Sequence, residues 1–251
     1  MTRHILVLIP FILLALFLLS CTPPLTVPIK TVNFTPPGGK RRPTLLVFLP
    51  GLRDRSAVFA DKGFISAVRS SGVEAEMIGV DAHLGYYERK QFLVRMKEDV
   101  IDPARRQGYR NIWLVGISLG GFGALWYDIE YPGDLAGVVA LSPYLGEPEV
   151  VAEVARAGGL KVWHPAANVE PDDQHRIWQG LKSYECSERT LNRLYLAYGL
   201  EDKFAAPDGI LAALLPPEQL FTIKGGHHWP VWRTLWDEIL KRRVFDRNGG
   251  D

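Results

Sequence analysis

From Thr44 onward, short apolar runs alternate with stretches whose apolar residues recur at helical spacing. The runs are "TLLVFLP" (Thr44 to Pro50), "AEMIGVDA" (Ala75 to Ala82), "NIWLVGIS" (Asn111 to Ser118), "GVVALSP" (Gly137 to Pro143), "RLYLAYG" (Arg193 to Gly199) and "QLFTIKGG" (Gln219 to Gly226). Each is short and close to continuous, the pattern of strands covered on both faces. Helices are predicted between them, near Ala57 to Ser70, Arg89 to Gln107 with Pro103 as a point of bending, Leu119 to Glu130, Pro207 to Leu215 and Pro230 to Arg243. This alternation predicts a doubly wound α/β domain, a mostly parallel sheet with helices on both faces. Only Ser142 to Arg193 breaks the rhythm. It carries a helical pattern at Glu147 to Arg156, a Gly158-Gly159 stop and a second helical pattern after Pro171, a small helical insertion too short for a large cap domain.

The first 43 residues read differently. A basic start, an apolar run from Ile5 to Leu19 and a small residue before Cys21 have the form of an export signal over residues 1–21, shorter than a membrane-spanning helix requires. The alternative is an uncleaved anchor. Thr22 to Pro43 is proline-rich and suits an extended tether, with "IKTVNF" in its middle available as an edge strand. The folded domain is accordingly expected over residues 44–245, with a flexible tail at 246–251.

Composition narrows the function classes. Lys plus Arg number 29 against 28 Asp plus Glu, without long runs of one sign, so the electrostatic footprint of a nucleic-acid binder is missing. Seven Trp, nine Tyr and eleven Phe speak for a packed interior with aromatic-lined clefts. With Cys21 in the leader, Cys186 is the one other cysteine and is expected to be unpaired. No ligand spacing typical of metal sites is present, and no cofactor motif is either.

Chemistry enters at "VGISLGGFGALW". Gly116-Ile117-Ser118-Leu119-Gly120 fits G-x-S-x-G with a strand before it and a helix after it. A turn that sharp holds the serine in a strained backbone and leaves no room for side chains at the flanking positions, which explains the glycines. Ser118 then projects above the strand's carboxyl end, beside unpaired N–H groups of the helix start. A serine hydroxyl needs a base and the base needs an orienting carboxylate. "YGLEDKF" offers Asp202 just past a strand end, with Glu201 and Asp208 as neighbours; "KGGHHWPVW" offers His227, with His228 as the alternative. The remaining histidines of the domain, His83, His164 and His175, fit surface or pocket positions.

At these residues the chain resembles the α/β-hydrolase superfamily, especially its small serine esterases, over about Thr44 to Arg243. The resemblance implies the α/β-hydrolase fold, with the insertion after the sixth-strand region, and a Ser118–Asp202–His227 triad needing no cofactor. It also implies an oxyanion hole from the backbone N–H of Leu119 and of a residue after an earlier strand. "FLPGLRDRS" places Leu52 there, although the family's His-Gly motif is replaced by Pro50-Gly51. Arg53, Tyr144 and Trp229 are candidate substrate contacts, and Asp81 to Tyr87 and Pro143 to Leu145 candidate walls. The expected activity is cleavage of a carboxylic ester or thioester in a small acyl substrate. The alternatives are an acyltransferase or peptidase with the same triad, or a non-catalytic envelope module. "LLSC" (Leu18 to Cys21) resembles a bacterial lipobox, which implies lipidation of Cys21 and anchoring to a bacterial membrane in the cell envelope; Thr22 resembles an outer-membrane sorting position. A soluble periplasmic or secreted form is the alternative.

Overall fold

The structure, a computed structural model, describes residues 23–35, 42–165, 173–184 and 193–246. The leader, Cys21, Cys186 and residues 247–251 lie outside the described residues. Seven strands form one sheet: β1 (Thr31–Asn33), β2 (Thr44–Leu49), β3 (Glu76–Val80), β4 (Asn111–Ile117), β5 (Gly137–Leu141), β6 (Leu194–Gly199) and β7 (Leu220–Ile223). Their order is β1-β3-β2-β4-β5-β6-β7; β1 runs antiparallel to β3 and every other pairing is parallel.

Because successive side chains of a strand point to opposite faces, the central strands feed two separate cores. Leu45, Val47, Ile112, Leu114, Val138, Ala140, Leu194 and Leu196 face one side; Leu46, Phe48, Trp113, Val115, Val139, Leu141, Tyr195 and Ala197 face the other. On the second side lie α1 (Val58–Asp61), α2 (Phe64–Ser71) and the closing helix, joined by an aromatic stack in which Trp236 lies 5.5 Å from Phe64 and 5.9 Å from Phe48. The first side carries α3 (Leu84–Glu88), α4 (Phe92–Met96), α5 (Asp102–Arg106), α6 (Leu119–Glu130), and the insertion helices α7 (Pro148–Arg156) and α8 (Asp173–Ser183). The chain closes with α9 (Ala205–Ala212) and α10 (Trp229–Lys241). In this chain the insertion follows β5.

Three expectations are corrected. The helix over Arg89 to Gln107 is α4, a π-turn (Lys97–Ile101) and α5. Pro103 has no N–H to give the preceding turn, and the wider π register absorbs the mismatch. The helix over Ala57 to Ser70 is broken at Gly63, whose φ of 79° is left-handed. Finally, the tether from Thr22 to Pro43 is not free along its length. β1 pairs with β3, Ile29 is buried and its N–H donates to the Asp99 carboxylate at 2.9 Å, and Tyr86 donates to the Thr26 carbonyl at 2.9 Å. Residues 23–35 therefore belong to the folded body.

Candidate active site

Three loops at the carboxyl ends of β4, β6 and β7 build the site. In the first, Ser118 has φ 54° and ψ −114°, outside the regions that L-residues favour. A Cβ on Gly116 would lie 2.1 Å from the Gly120 carbonyl oxygen, and one on Gly120 would lie 2.1 Å from that of Leu49. Only glycine fits at either place. The strain, of order 1–3 kcal/mol, persists because the surroundings pin the residue. Its N–H donates to Leu141 at 2.9 Å, and its carbonyl accepts from Phe122 at 3.0 Å and Tyr144 at 3.1 Å.

The other two loops are drawn together by a second pair of glycines. A Cβ on Gly199 would meet the Gly225 carbonyl oxygen at 2.2 Å, and the Glu201 N–H donates to that carbonyl at 2.9 Å. This approach sets Asp202 beside His227. The Nδ1 of His227 lies 2.9 Å from both carboxylate oxygens of Asp202, and its Nε2 lies 3.1 Å from the Ser118 hydroxyl. The Asp202 side chain is wholly buried. Burial opposes its ionisation, but bonds from His227, the Phe204 N–H at 2.9 Å and Ser142, with the charge of His227, outweigh this and hold the carboxyl below its usual range. The nearby alternatives lie elsewhere. Glu201 is paired with Lys224 at the surface, Asp208 is fully buried, and His228 caps the start of α10.

A cleft of about 540 Å³ opens over Ser118, lined among others by Leu52, Arg53, Tyr144, Phe204 and Trp232. Gly51 packs against Ser118, and among the described residues neither the Leu52 nor the Leu119 N–H donates to a backbone carbonyl. Leu52 and Leu119 both line the cleft with Ser118. The mouth is mixed in charge. Arg53 and Lys203 line it together with Asp54, whose carboxyl burial pushes upward, and Glu147, which accepts from the Tyr144 hydroxyl at 2.6 Å. Trp229 is a correction: it is absent from the lining. As the first residue of α10 it turns its ring into the second core, 5.8 Å from Phe59 and 5.6 Å from Phe64, with a hydrogen bond to Asp54. Of the proposed walls, Leu84 and Tyr144 reach the cleft. His83 caps α3, accepting from the Gly85 N–H at 3.2 Å; His164 and His175 belong to the insertion.

Sequence reasoning missed Ser142, Phe204 and Trp232. The nearest signal for Ser142 is "ALSP", a serine at a strand's carboxyl end, the same placement that singles out Ser118. Among the described residues, no group of three or more His, Cys, Asp or Glu could hold a metal ion, and no helix is long and apolar enough to cross a membrane.

Solved structures of several hydrolases and esterases share this architecture. S-formylglutathione hydrolase from Staphylococcus aureus superposes with a TM-score of 0.58 at 13% identity, covering 86% of this chain and 96% of that one. Est1E from Butyrivibrio proteoclasticus gives 0.58 at 16% identity, covering 86% and 92%. Monoacylglycerol lipase from Paleococcus ferrophilus gives 0.54 at 17%, covering 86% and 98%. These likenesses establish the fold. No curated protein sequence matches the chain. The Esterase family model matches residues 87–242, more than half of the chain, from α3 through the candidate base to the closing helix. By that match, and with the α/β-hydrolase fold, the chain belongs to the Esterase family.

Proposed function

We propose that this esterase cleaves a carboxylic ester or thioester through an acyl-enzyme on Ser118. The single observation that carries the reading is the continuous relay from Ser118 through both nitrogens of His227 to the buried Asp202. In the first half-reaction the Ser118 oxygen bonds to the substrate carbonyl carbon, and its proton passes to Nε2 of His227. Asp202 holds Nδ1 and balances the imidazolium charge. The carbonyl oxygen, now negative, accepts from the Leu52 and Leu119 N–H groups. Collapse breaks the bond to the leaving alcohol or thiol, which takes the proton from His227. Water repeats the sequence in the second half-reaction: it gives a proton to His227 as it attacks, and Ser118 recovers that proton as the acid departs.

The lining suits a modest acyl group. Leu52, Leu84, Leu119, Tyr144, Phe204 and Trp232 offer apolar and aromatic surface around a volume suited to short aliphatic or aromatic acyl chains. Ferulic acid occupies Est1E, an aromatic acid of that size. Arg53, beside Leu52 at φ 70°, and Tyr144 are positioned to contact the substrate. Turnover of p-nitrophenyl acetate and butyrate, measured beside Ser118→Ala, tests the reading. Loss of activity in the variant is expected, and equal rates for the two proteins overturn it. Product analysis with added alcohols separates hydrolysis from acyl transfer, and free acid is expected to dominate.

The sequence further supports attachment of the domain to a bacterial envelope through a lipidated Cys21. Mass spectrometry of the mature N-terminus tests this, with a diacylglyceryl cysteine expected and an unmodified end contradicting it.

A further inference from the structure

Ser142 ends β5 as Ser118 ends β4. It is fully buried, it has φ 43°, and its N–H donates to Ala197 at 2.7 Å. A non-glycine residue held there without solvent access requires local payment in contacts, and the side chain supplies them. The indole Nε1 of Trp232 donates to the Ser142 oxygen at 3.0 Å. An indole N–H can only donate, so that bond fixes the hydroxyl as its acceptor and leaves the hydroxyl hydrogen for another partner. The partner in reach is the Asp202 carboxylate, which can only accept. Polarity along Trp232, Ser142 and Asp202 is therefore set in one direction by the chemistry of the two end groups. The same Trp232 ring stands edge-on to His227, 4.8 Å between centroids at 88°.

We propose that Ser142, oriented by Trp232, is a positioning residue that fixes the Asp202 carboxylate as the acceptor for His227. The inference rests on the triad reading above. Ser142 does not touch substrate; it acts through Asp202. Two N–H donors, from His227 and Phe204, would otherwise hold a wholly buried carboxylate. Among the described residues, the titratable groups bearing on Asp202 are His227 and Asp208. Asp208, reaching in from α9, brings no counter-charge. Burial first, and the charge of Asp202 second, push its own carboxyl well above the usual range. A hydroxyl donor just past β5 is then, beside the Phe204 N–H, the neutral group that steadies the acid.

The test is the pH profile of kcat/KM for Ser142→Gly and Ser142→Ala beside wild type and Ser118→Ala. Glycine accepts the positive φ without strain, so Ser142→Gly keeps the experiment readable if Ser142→Ala fails to fold. Removing a donor to the carboxylate lets the Asp202–His227 pair take up a proton at higher pH. The acid limb is expected to move up by about 0.5–1 pH unit, with kcat lowered about tenfold and KM within about twofold of wild type. Trp232→Phe, which keeps a ring and deletes the N–H, is expected to move the limb in the same direction by less. A Ser142→Gly enzyme with an unmoved acid limb and wild-type kcat overturns the proposal, as does a lowered melting temperature with no change in the limb. If Ser118→Ala itself retains full activity, the triad reading fails instead.

Discussion

Two serines of this chain end neighbouring parallel strands in a backbone conformation that serine avoids, Ser118 after β4 and Ser142 after β5. Their surroundings differ. Ser118 opens onto a cleft and offers its hydroxyl to a histidine, whereas Ser142 is sealed between Trp232 and Asp202. Strain alone therefore does not make a nucleophile. What distinguishes the two is the group next to the oxygen. A base that can accept the proton makes an attacking alkoxide accessible; an indole donor on one side and a carboxylate on the other use up the hydroxyl.

The contrast is broken most severely at Ser118. Ser118→Ala is expected to lower kcat by at least about 10³-fold, whereas Ser142→Gly lowers it only about tenfold. Next in size is Asp202→Asn, which preserves shape but favours the wrong imidazole tautomer; a loss of about 10²–10⁴-fold in kcat is expected, read from steady-state ester hydrolysis. The geometry beneath the nucleophile is tested by stability. A Cβ at position 116 collides with backbone that has nowhere to go, so Gly116→Ala is expected to cost more than about 4 kcal/mol in denaturant unfolding. Gly72→Ala, at φ 79° with nothing within 4 Å, is expected to cost only about 1–2 kcal/mol, the strain without the collision.

The smallest effect distinguishes the two buried aspartates. Asp202 is held below its ordinary value, so it adds stability above that value and loses it as pH falls through the native one. Asp208 has the opposite sign. Its native carboxyl keeps a proton that the unfolded chain releases above about 3.8, so stability drains away as pH rises from there. Neither of its oxygens has a hydrogen-bond partner among the described residues. Asp208→Asn is expected to raise the melting temperature by about 2–4 °C at pH 7 and to leave it unchanged below the ordinary carboxyl value. A gain that persists at low pH would contradict the linkage.

Much of this was legible in sequence because it is written in local steric rules. The six parallel strands follow from continuous apolar runs, and Ser118 from glycines that a tight strand-to-helix turn requires. Asp202 and His227 follow from their place just past strand ends. What escaped is long-range. "IKTVNF" is legible as an edge strand, but nothing near it announces that its partner is β3 or that Ile29 bonds to Asp99, because that pairing depends on an edge left open elsewhere. Trp229 and Trp232 share one helix and one local composition, yet Trp229 turns into the core and Trp232 reaches both the cleft and Ser142. The three-residue offset on α10 decides it, through helix orientation that the sequence does not carry.

Locating the covalent adduct tests the central claim most directly. After reaction with a fluorophosphonate probe, peptide mass spectrometry of the wild-type enzyme is expected to find one phosphonylated residue, Ser118, and none in Ser118→Ala. An adduct on Ser142 or any other serine, or undiminished labelling of Ser118→Ala, would contradict it.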